Sequence, residues 1–247
     1  MKHYKTSEIA KAVGVHPNTV RLYEEWGLLQ PVPRDKNGYR LYNKEHLEQM
    51  RLARTALRCE FVEGQIREKA TAIIKTAVKG DLKKALNKAY AYLSHIQNER
   101  EKAEEALTLV NQWIQGELDE DSCTYMNRLD AAKQLGVSID VLRNWERNGL
   151  IEIPRNIKNR YRIYGINEMK RLKIIAILRN ANYSMMSILR MLRNIDQGNK
   201  DNPKDIINTP DLEEDIVSAT DRWISTLIES EKDATEVIQQ LKRMIGK

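Results

Sequence analysis

Residues 18–31, NTVRLYEEWGLLQP, and residues 140–153, DVLRNWERNGLIEI, decide the organisation of this chain. They lie 122 positions apart, and at the same offset KNGYRLY (36–42) falls over KNRYRIY (158–164). Between positions 10 and 42, 13 of 33 residues are identical to their partners at 132–164, without a gap. The differences are mostly conservative: Val20 against Leu142, Tyr23 against Trp145, Leu29 against Ile151, Leu41 against Ile163. Self-similarity at a fixed period marks a repeated structural unit. The chain reads as two copies of one module.

Each copy has the same grammar. In the first, a short helix begins near a capping Thr6 and turns Ile9, Ala10 and Val13 inward. Gly14 ends it, since a residue without a Cβ takes the left-handed backbone at least cost. Pro17 then opens a second helix, where its missing N–H costs nothing. The triple Ala10, Gly14, Val20 has helix-turn-helix spacing, and Ala132, Gly136, Leu142 repeat it. One such triple is weak evidence, because ordinary helical hairpins match it. Two at one offset are strong.

A hairpin follows each second helix. Asn37-Gly38 is the dipeptide of a two-residue turn, flanked by Tyr39, Arg40, Leu41 and Tyr42. Such a wing places Arg34, Lys36 and Arg40 towards phosphates, with a hydroxyl each from Tyr39 and Tyr42. The second copy offers Arg155, Lys158, Arg160, Tyr161, Arg162 and Tyr164. Packing within the wing is the competing role for the tyrosines. Arg160 stands where the first copy has Gly38, so a different tip is expected there.

These strings resemble the DNA-binding domain of the MerR family of transcription regulators, over about residues 1–75 and, in a more divergent form, 125–195. The resemblance implies a mainly α fold, with two winged helix-turn-helix domains each followed by a long coiled-coil-type helix. It implies five segments: 1–80 and 125–198 as the domains, 81–116 as a dimerisation-type helix, 117–124 as an acidic linker, and 199–247 as a linker with a C-terminal helix. The family carries a tyrosine pair in the recognition helix. Here Leu22 replaces the first and Tyr23 remains; the second copy has Asn144 and Trp145.

A recognition helix meets base edges in the major groove with residues near its N-terminus. Those are His16, Asn18, Thr19 and Arg21 in the first copy, and Ser138, Asp140, Val141 and Arg143 in the second. Asn18 can pair with adenine, whereas Asp140 repels phosphate, so two unlike half-sites are expected.

Charge follows the repeat. Residues 1–62 carry 11 Lys/Arg against 7 Asp/Glu, and 125–195 carry 14 against 5, while the remainder is acidic. Basic surface attracts polyanions, although a solvated basic face is the plainer reading of charge alone.

Residues 81–115 contain neither proline nor glycine. Leu86, Ala89, Leu93, Ile96, Arg100, Ala103, Leu107, Val110 and Ile114 recur there in steps of three and four. Ile216, Thr220, Trp223, Leu227, Ser230, Ala234, Val237, Leu241 and Met244 do the same. That pattern describes a helix-pairing seam, with a helix packed only on its own domain as the alternative. The resemblance implies an antiparallel pair, in which the far end of each helix lies beside the partner's DNA-binding domain. Pairing within one chain would let a monomer imitate that dimer; a homodimer of tandem chains is the alternative.

Other chemistry finds little support. The histidines His3, His16, His46 and His95 are scattered, and no nucleophile, phosphate-loop or paired-carboxylate arrangement stands out. An enzyme is not expected, nor a cofactor. Cys59 and Cys123 have no ligand-spaced partner, so no metal site is expected either. Were a small molecule sensed, Tyr90, Tyr92, Trp113 and Trp223 are the aromatic candidates, against plain core roles. The longest apolar run is five residues, Ile174 to Leu178, and the first residues lack a secretory signal's apolar stretch. A cytoplasmic, nucleoid-associated protein without membrane contact is the expectation.

The expected function is a promoter-binding regulator that distorts the promoter spacer, as the resemblance implies, and so reaches RNA polymerase indirectly. A chromosome-organising DNA binder, or a regulator whose second domain docks protein, are the competing functions.

Overall fold

A computed structural model describes residues 3–58, 65–117, 125–199, 202–210 and 219–246. The chain divides into two compact units, Met1–Asn98 with Thr226–Lys247, and Glu99–Ser225. These cut across the sequence-based segments because two long helices, Leu82–Ile114 and Trp223–Ile245, each belong to both units.

The first unit holds α1 (Thr6–Val13), α2 (Pro17–Glu25), a wing, α3 (Lys44–Ala56), α4 (Ile66–Val78), and the start of α5 (Leu82–Ile114). Thr6 is not the cap of α1: Lys5 occupies that place, and the Glu8 carboxylate accepts its backbone N–H at 2.6 Å. Gly14 takes φ +69° and closes the turn, as expected, so α2 crosses α1 with Ile9, Ala10 and Val20 buried between them. α3 begins with a reciprocal cap. Asn43 Oδ1 accepts the His46 N–H at 2.9 Å and His46 Nδ1 accepts the Asn43 N–H at 3.1 Å. Burial of that imidazole lowers its pKa.

All but the first three residues of the last helix, α11 (Trp223–Ile245), complete this unit. Arg58, just beyond α3, binds Asp233 and donates to Glu236 at 3.0 Å. Gln240 donates to the Thr55 hydroxyl at 2.9 Å. Against α5, Gln97 donates to Glu231 at 2.9 Å, and the Lys242 ammonium sits 5.6 Å from the centre of the Tyr90 ring. Residue numbers fall along α5 as they rise along α11, so the two helices run antiparallel here.

The second unit repeats the plan with α6 (Arg128–Leu135), α7 (Ile139–Arg147), a wing, α8 (Ile166–Asn180) and α9 (Met185–Asp196). It adds α10 (Pro203–Asn208), a 3-10 turn at Ala219–Arg222, and the first residues of α11. Gly136 takes φ +67° at the matching turn. The later part of α5 packs here: Asn182 donates to Glu99 at 2.7 Å, and the buried Tyr183 hydroxyl donates to the Ala103 carbonyl at 3.3 Å. Desolvation pushes that phenol far above its ordinary pKa. The buried Arg190 gathers the carbonyls of Ile206 and Ile207, each at 3.0 Å, and of Asp221 at 3.3 Å. Those bonds meet the cost of burying a charge.

Of the expected seam, Ile96, Leu107, Val110, Trp223, Leu227, Val237 and Leu241 are buried, and Leu86 and Leu93 are half-buried. Ile114 is exposed: it is the last residue of α5, and the buried stripe stops at Val110. Ile216 lies outside the described residues. The inner line of α5 is rich in small side chains, Ala85, Ala89, Ala103 and Ala106, which let neighbouring backbones approach closely. Among the described residues no helix is long and apolar enough to cross a membrane.

Candidate nucleic-acid interface

In the first unit, α2 presents its N-terminus outward. His16 is its cap, with Nδ1 accepting the Asn18 N–H at 3.2 Å. Asn18, three residues before Arg21, accepts that guanidinium at 2.8 Å. Asn18 and Arg21 are exposed and Thr19 is half-exposed.

The wing is a narrow hairpin closed by antiparallel bridges, Arg34 with Arg40 and Tyr4 with Tyr42. Its tip is a three-residue loop rather than the two-residue turn that Asn37-Gly38 indicates. The Gly38 N–H reaches the Asp35 carbonyl at 3.0 Å, and Gly38 takes φ +81°. This is a type I turn followed by a left-handed residue. The Asp35 carboxylate braces it, accepting the N–H of Asn37 at 2.8 Å and of Tyr39 at 2.9 Å. Arg34 donates to the Gly38 carbonyl at 3.1 Å, Lys36 is exposed, and Tyr39 is 71% exposed. Arg40 ties the wing to α2 by donating to Glu24 at 2.5 Å. A cleft of about 620 Å³ runs between helix and wing, with Lys5, Thr6, Arg21, Asp35, Tyr39 and Arg40 among its walls.

The second unit has the same parts with different chemistry. Ser138 caps α7, its hydroxyl accepting the Val141 N–H at 3.2 Å. Arg143 is exposed and ion-paired to Asp140 at 2.8 Å, so a carboxylate stands where the first unit has an amide. The wing bridges are Arg155 with Arg162 and Met126 with Tyr164. Arg155 thus plays the part of Arg34 although the ungapped alignment sets it against Pro33. One residue is lost before the wing and one gained at its tip. The longer loop closes from the Arg160 N–H to the Asn156 carbonyl at 2.9 Å, and Arg160 itself takes φ +61°. A different tip was the expectation from sequence, and the left-handed arginine is its signature. Lys158 is exposed, Tyr161 is 74% exposed, and Ile157 in the longer loop is 96% exposed.

Four expected contact residues are turned inward. Tyr23 and Trp145 are buried against their own domains, and Tyr42 and Tyr164 carry the bridges that join each wing to the strand-like N-terminal segment. Burial pushes the Tyr42 phenol above its ordinary pKa, and the Tyr164 hydroxyl accepts from Arg128 at 3.1 Å. Their rings serve the core. The position after Arg40 or Arg162 by two places faces the domain, whereas Tyr39 and Tyr161 face outward.

Sequence inspection also passed over one cluster. Arg128, Arg143, Arg147 and Arg162 line a cleft of about 440 Å³ with Glu146 as the single carboxylate. Glu146 accepts Arg162 Nε at 2.5 Å and Arg128 at 3.2 Å. The pairing of Arg162 with Glu146 copies that of Arg40 with Glu24, whereas Arg128 and Arg147 stand where the first copy has Thr6 and Glu25. Aligning the copies position by position for charge would have found them.

The aromatic residues considered for a small molecule divide. Tyr92 and Trp223 are buried, Trp113 is half-buried, and Tyr90 is exposed beneath Lys242. Among the described residues no cluster of His, Cys, Asp and Glu could hold a metal ion. Cys59 and Cys123 lie outside the described residues.

Comparison with known proteins bears on the same two regions. The model for the MerR HTH family regulatory protein matches residues 4–68 and again 129–195, more than half of the chain. The HTH-type transcriptional regulator CueR of Escherichia coli O6:H1 is 42% identical over 55 residues, 22% of this chain and 41% of that protein. A protein of Haemophilus influenzae described as "Probable heavy metal-dependent transcriptional regulator" is 30% identical over 122 residues, 49% of this chain and 81% of its own length. The chain spans about two-fifths of the length of the CueR relatives it matches.

Proposed function

The chain belongs to the MerR HTH family of regulatory proteins, and from that premise we propose that it is a promoter-binding transcription regulator whose two domains read two unlike half-sites of duplex DNA. The observation that carries this reading is the duplicated interface. Each unit holds a recognition helix with an exposed arginine, Arg21 or Arg143, beside a wing that turns Lys36 and Tyr39, or Lys158 and Tyr161, outward. The readers differ, because Asn18 supplies an amide and Asp140 a carboxylate at one position. An amide suits adenine and an acceptor suits cytosine.

One chain supplies what two protomers supply in the family's usual dimer. Supporting this, α11 of the second copy docks on α3 of the first through Arg58, Asp233 and Glu236, and α5 of the first docks on the second through Glu99 and Ala103. Each domain is completed by the other copy's helix. A 28.7 kDa monomer at low concentration is the expected species in sedimentation; only twice that mass would refute the monomer.

Regulation then works by deforming the spacer between promoter elements, so that RNA polymerase engages both. Deformation energy depends on the sequence being bent, which adds selectivity at positions never touched. Binding-site selection from random duplexes, followed by a bending assay on the recovered site, tests the reading. An asymmetric site that bends on binding is expected. A perfect palindrome would refute the unlike half-sites, and broad binding without a motif would point to a chromosome-organising protein.

A further inference from the structure

The arginine cleft of the second unit leads beyond the reading above, on which it rests. We propose that Arg128, Arg143, Arg147 and Arg162 form a backbone-phosphate clamp absent from the first domain, so that the second half-site is gripped more through its phosphates and the first more through its base edges.

Four guanidiniums converge on this cleft with one carboxylate among them. Glu146 lies between Arg162 and Arg128 and balances one of the two. Asp140 balances Arg143, and Arg147 is exposed. The cluster therefore keeps a cationic surplus, with Arg128 and Arg162 held by Glu146 and Arg143 by Asp140. Guanidiniums bind phosphate in bidentate fashion, and phosphate contacts fix position without reading sequence.

The equivalent places in the first copy are Thr6, Arg21, Glu25 and Arg40. Glu24 balances Arg40, and the exposed Glu25 opposes an incoming phosphate. Lys5 and Arg21 remain at that cleft, but Asp35 shares it. The reading position shows the converse. Asn18 and Asp140 each hold the arginine three residues on at 2.8 Å, but Asn18 keeps amide N–H donors for a base edge, whereas Asp140 brings only acceptor oxygens and negative charge. Phosphate binding is weighted towards the second domain, in keeping with 14 Lys/Arg against 5 acids in residues 125–195 and 11 against 7 in residues 1–62.

The test uses the full chain, with anisotropy of a labelled duplex carrying the selected site and of a scrambled duplex, across 50–200 mM salt. The variants are Arg147→Gln alone and Arg128→Thr with Arg147→Gln. The log–log salt slope should shrink by about 1 for each arginine removed, and both duplexes should lose affinity by the same factor. The ratio of specific to scrambled binding then stays at the wild-type value. An unchanged slope, or a loss confined to the specific duplex, overturns the clamp. If the double variant melts early in circular dichroism, the exposed Arg147→Gln decides the question by itself. Wild type that binds neither duplex would instead refute the regulator reading, an outcome distinct from a wild type that binds with a slope insensitive to Arg147.

Discussion

The two domains share a fold and part company in how they spend the same positions. At the recognition arginine, the first copy sets an amide (Asn18 with Arg21) and the second a carboxylate (Asp140 with Arg143). At the wing tip, the first has a glycine at φ +81° and the second an arginine at φ +61° in a longer loop. At the start of the third helix, the first closes its cap with His46 and the second with Glu168, which accepts the Gly165 N–H at 3.0 Å. Buried positions keep their apolar character (Val20 with Leu142, Tyr23 with Trp145), the exposed pairs Arg21 with Arg143 and Tyr39 with Tyr161 are identical, and exposed positions such as Asn18 with Asp140 and Glu25 with Arg147 have changed chemistry. Surface differences inside one chain therefore separate what the fold requires from what each domain does.

That contrast can be broken most sharply at the core. Trp145→Ala should cost about 3–5 kcal/mol, typical for a buried aromatic residue, and melt the second unit first, with Tyr23→Ala acting likewise on the first. Affinity lost at unchanged melting temperature would return these rings to the DNA face. Next come the reading arginines. Arg21→Ala should cost about 1–3 kcal/mol on the selected duplex and relax base preference at one position. Arg143→Ala, already balanced by Asp140, should weaken selected and scrambled duplexes alike. A preference altered more by Arg143→Ala would reverse the weighting of the two half-sites. Arg160→Gly should then stabilise the second unit by about 1 kcal/mol, since a left-handed non-glycine residue is strained; chemical denaturation measures it, and a destabilised variant would show that the tip is unstrained.

The smallest expected effect is one of pH. The buried His46 has a lowered pKa, so folding favours its neutral form. Its contribution is complete above the unfolded value of about 6.5 and declines as pH falls below it, because the unfolded chain then binds a proton that the folded one resists. The first unit should lose melting temperature on acidification, and His46→Glu should flatten that dependence. The second unit has no imidazole at the equivalent cap. Equal acid sensitivity in both units would defeat the comparison.

Much of this was legible in the sequence because it rests on local rules. Gly14 and Gly136 announce left-handed turns, and the offset of 122 residues exposes the duplication. What escaped depends on three-dimensional compensation. Tyr42 looks like a wing residue, yet its pairing with Tyr4 turns it into the core. The deletion before the second wing and the insertion at its tip cancel, so an ungapped alignment conceals both. Arg128 and Arg162 lie 34 residues apart, and only folding around Glu146 brings them together.

The docking of α11 on the first domain also bears on how the protein is made. The first unit is discontinuous in sequence, needing both its opening residues and those from 226 onward. At about 5–20 residues per second, a ribosome takes roughly 6–25 s to traverse residues 99–225. Throughout that interval the nascent first domain waits with the surface around Thr55 and Arg58 uncovered, a window in which chaperones and neighbouring chains compete for it. Residues made later thus finish a part made earlier, and a premature stop within α11 would strike at the first unit.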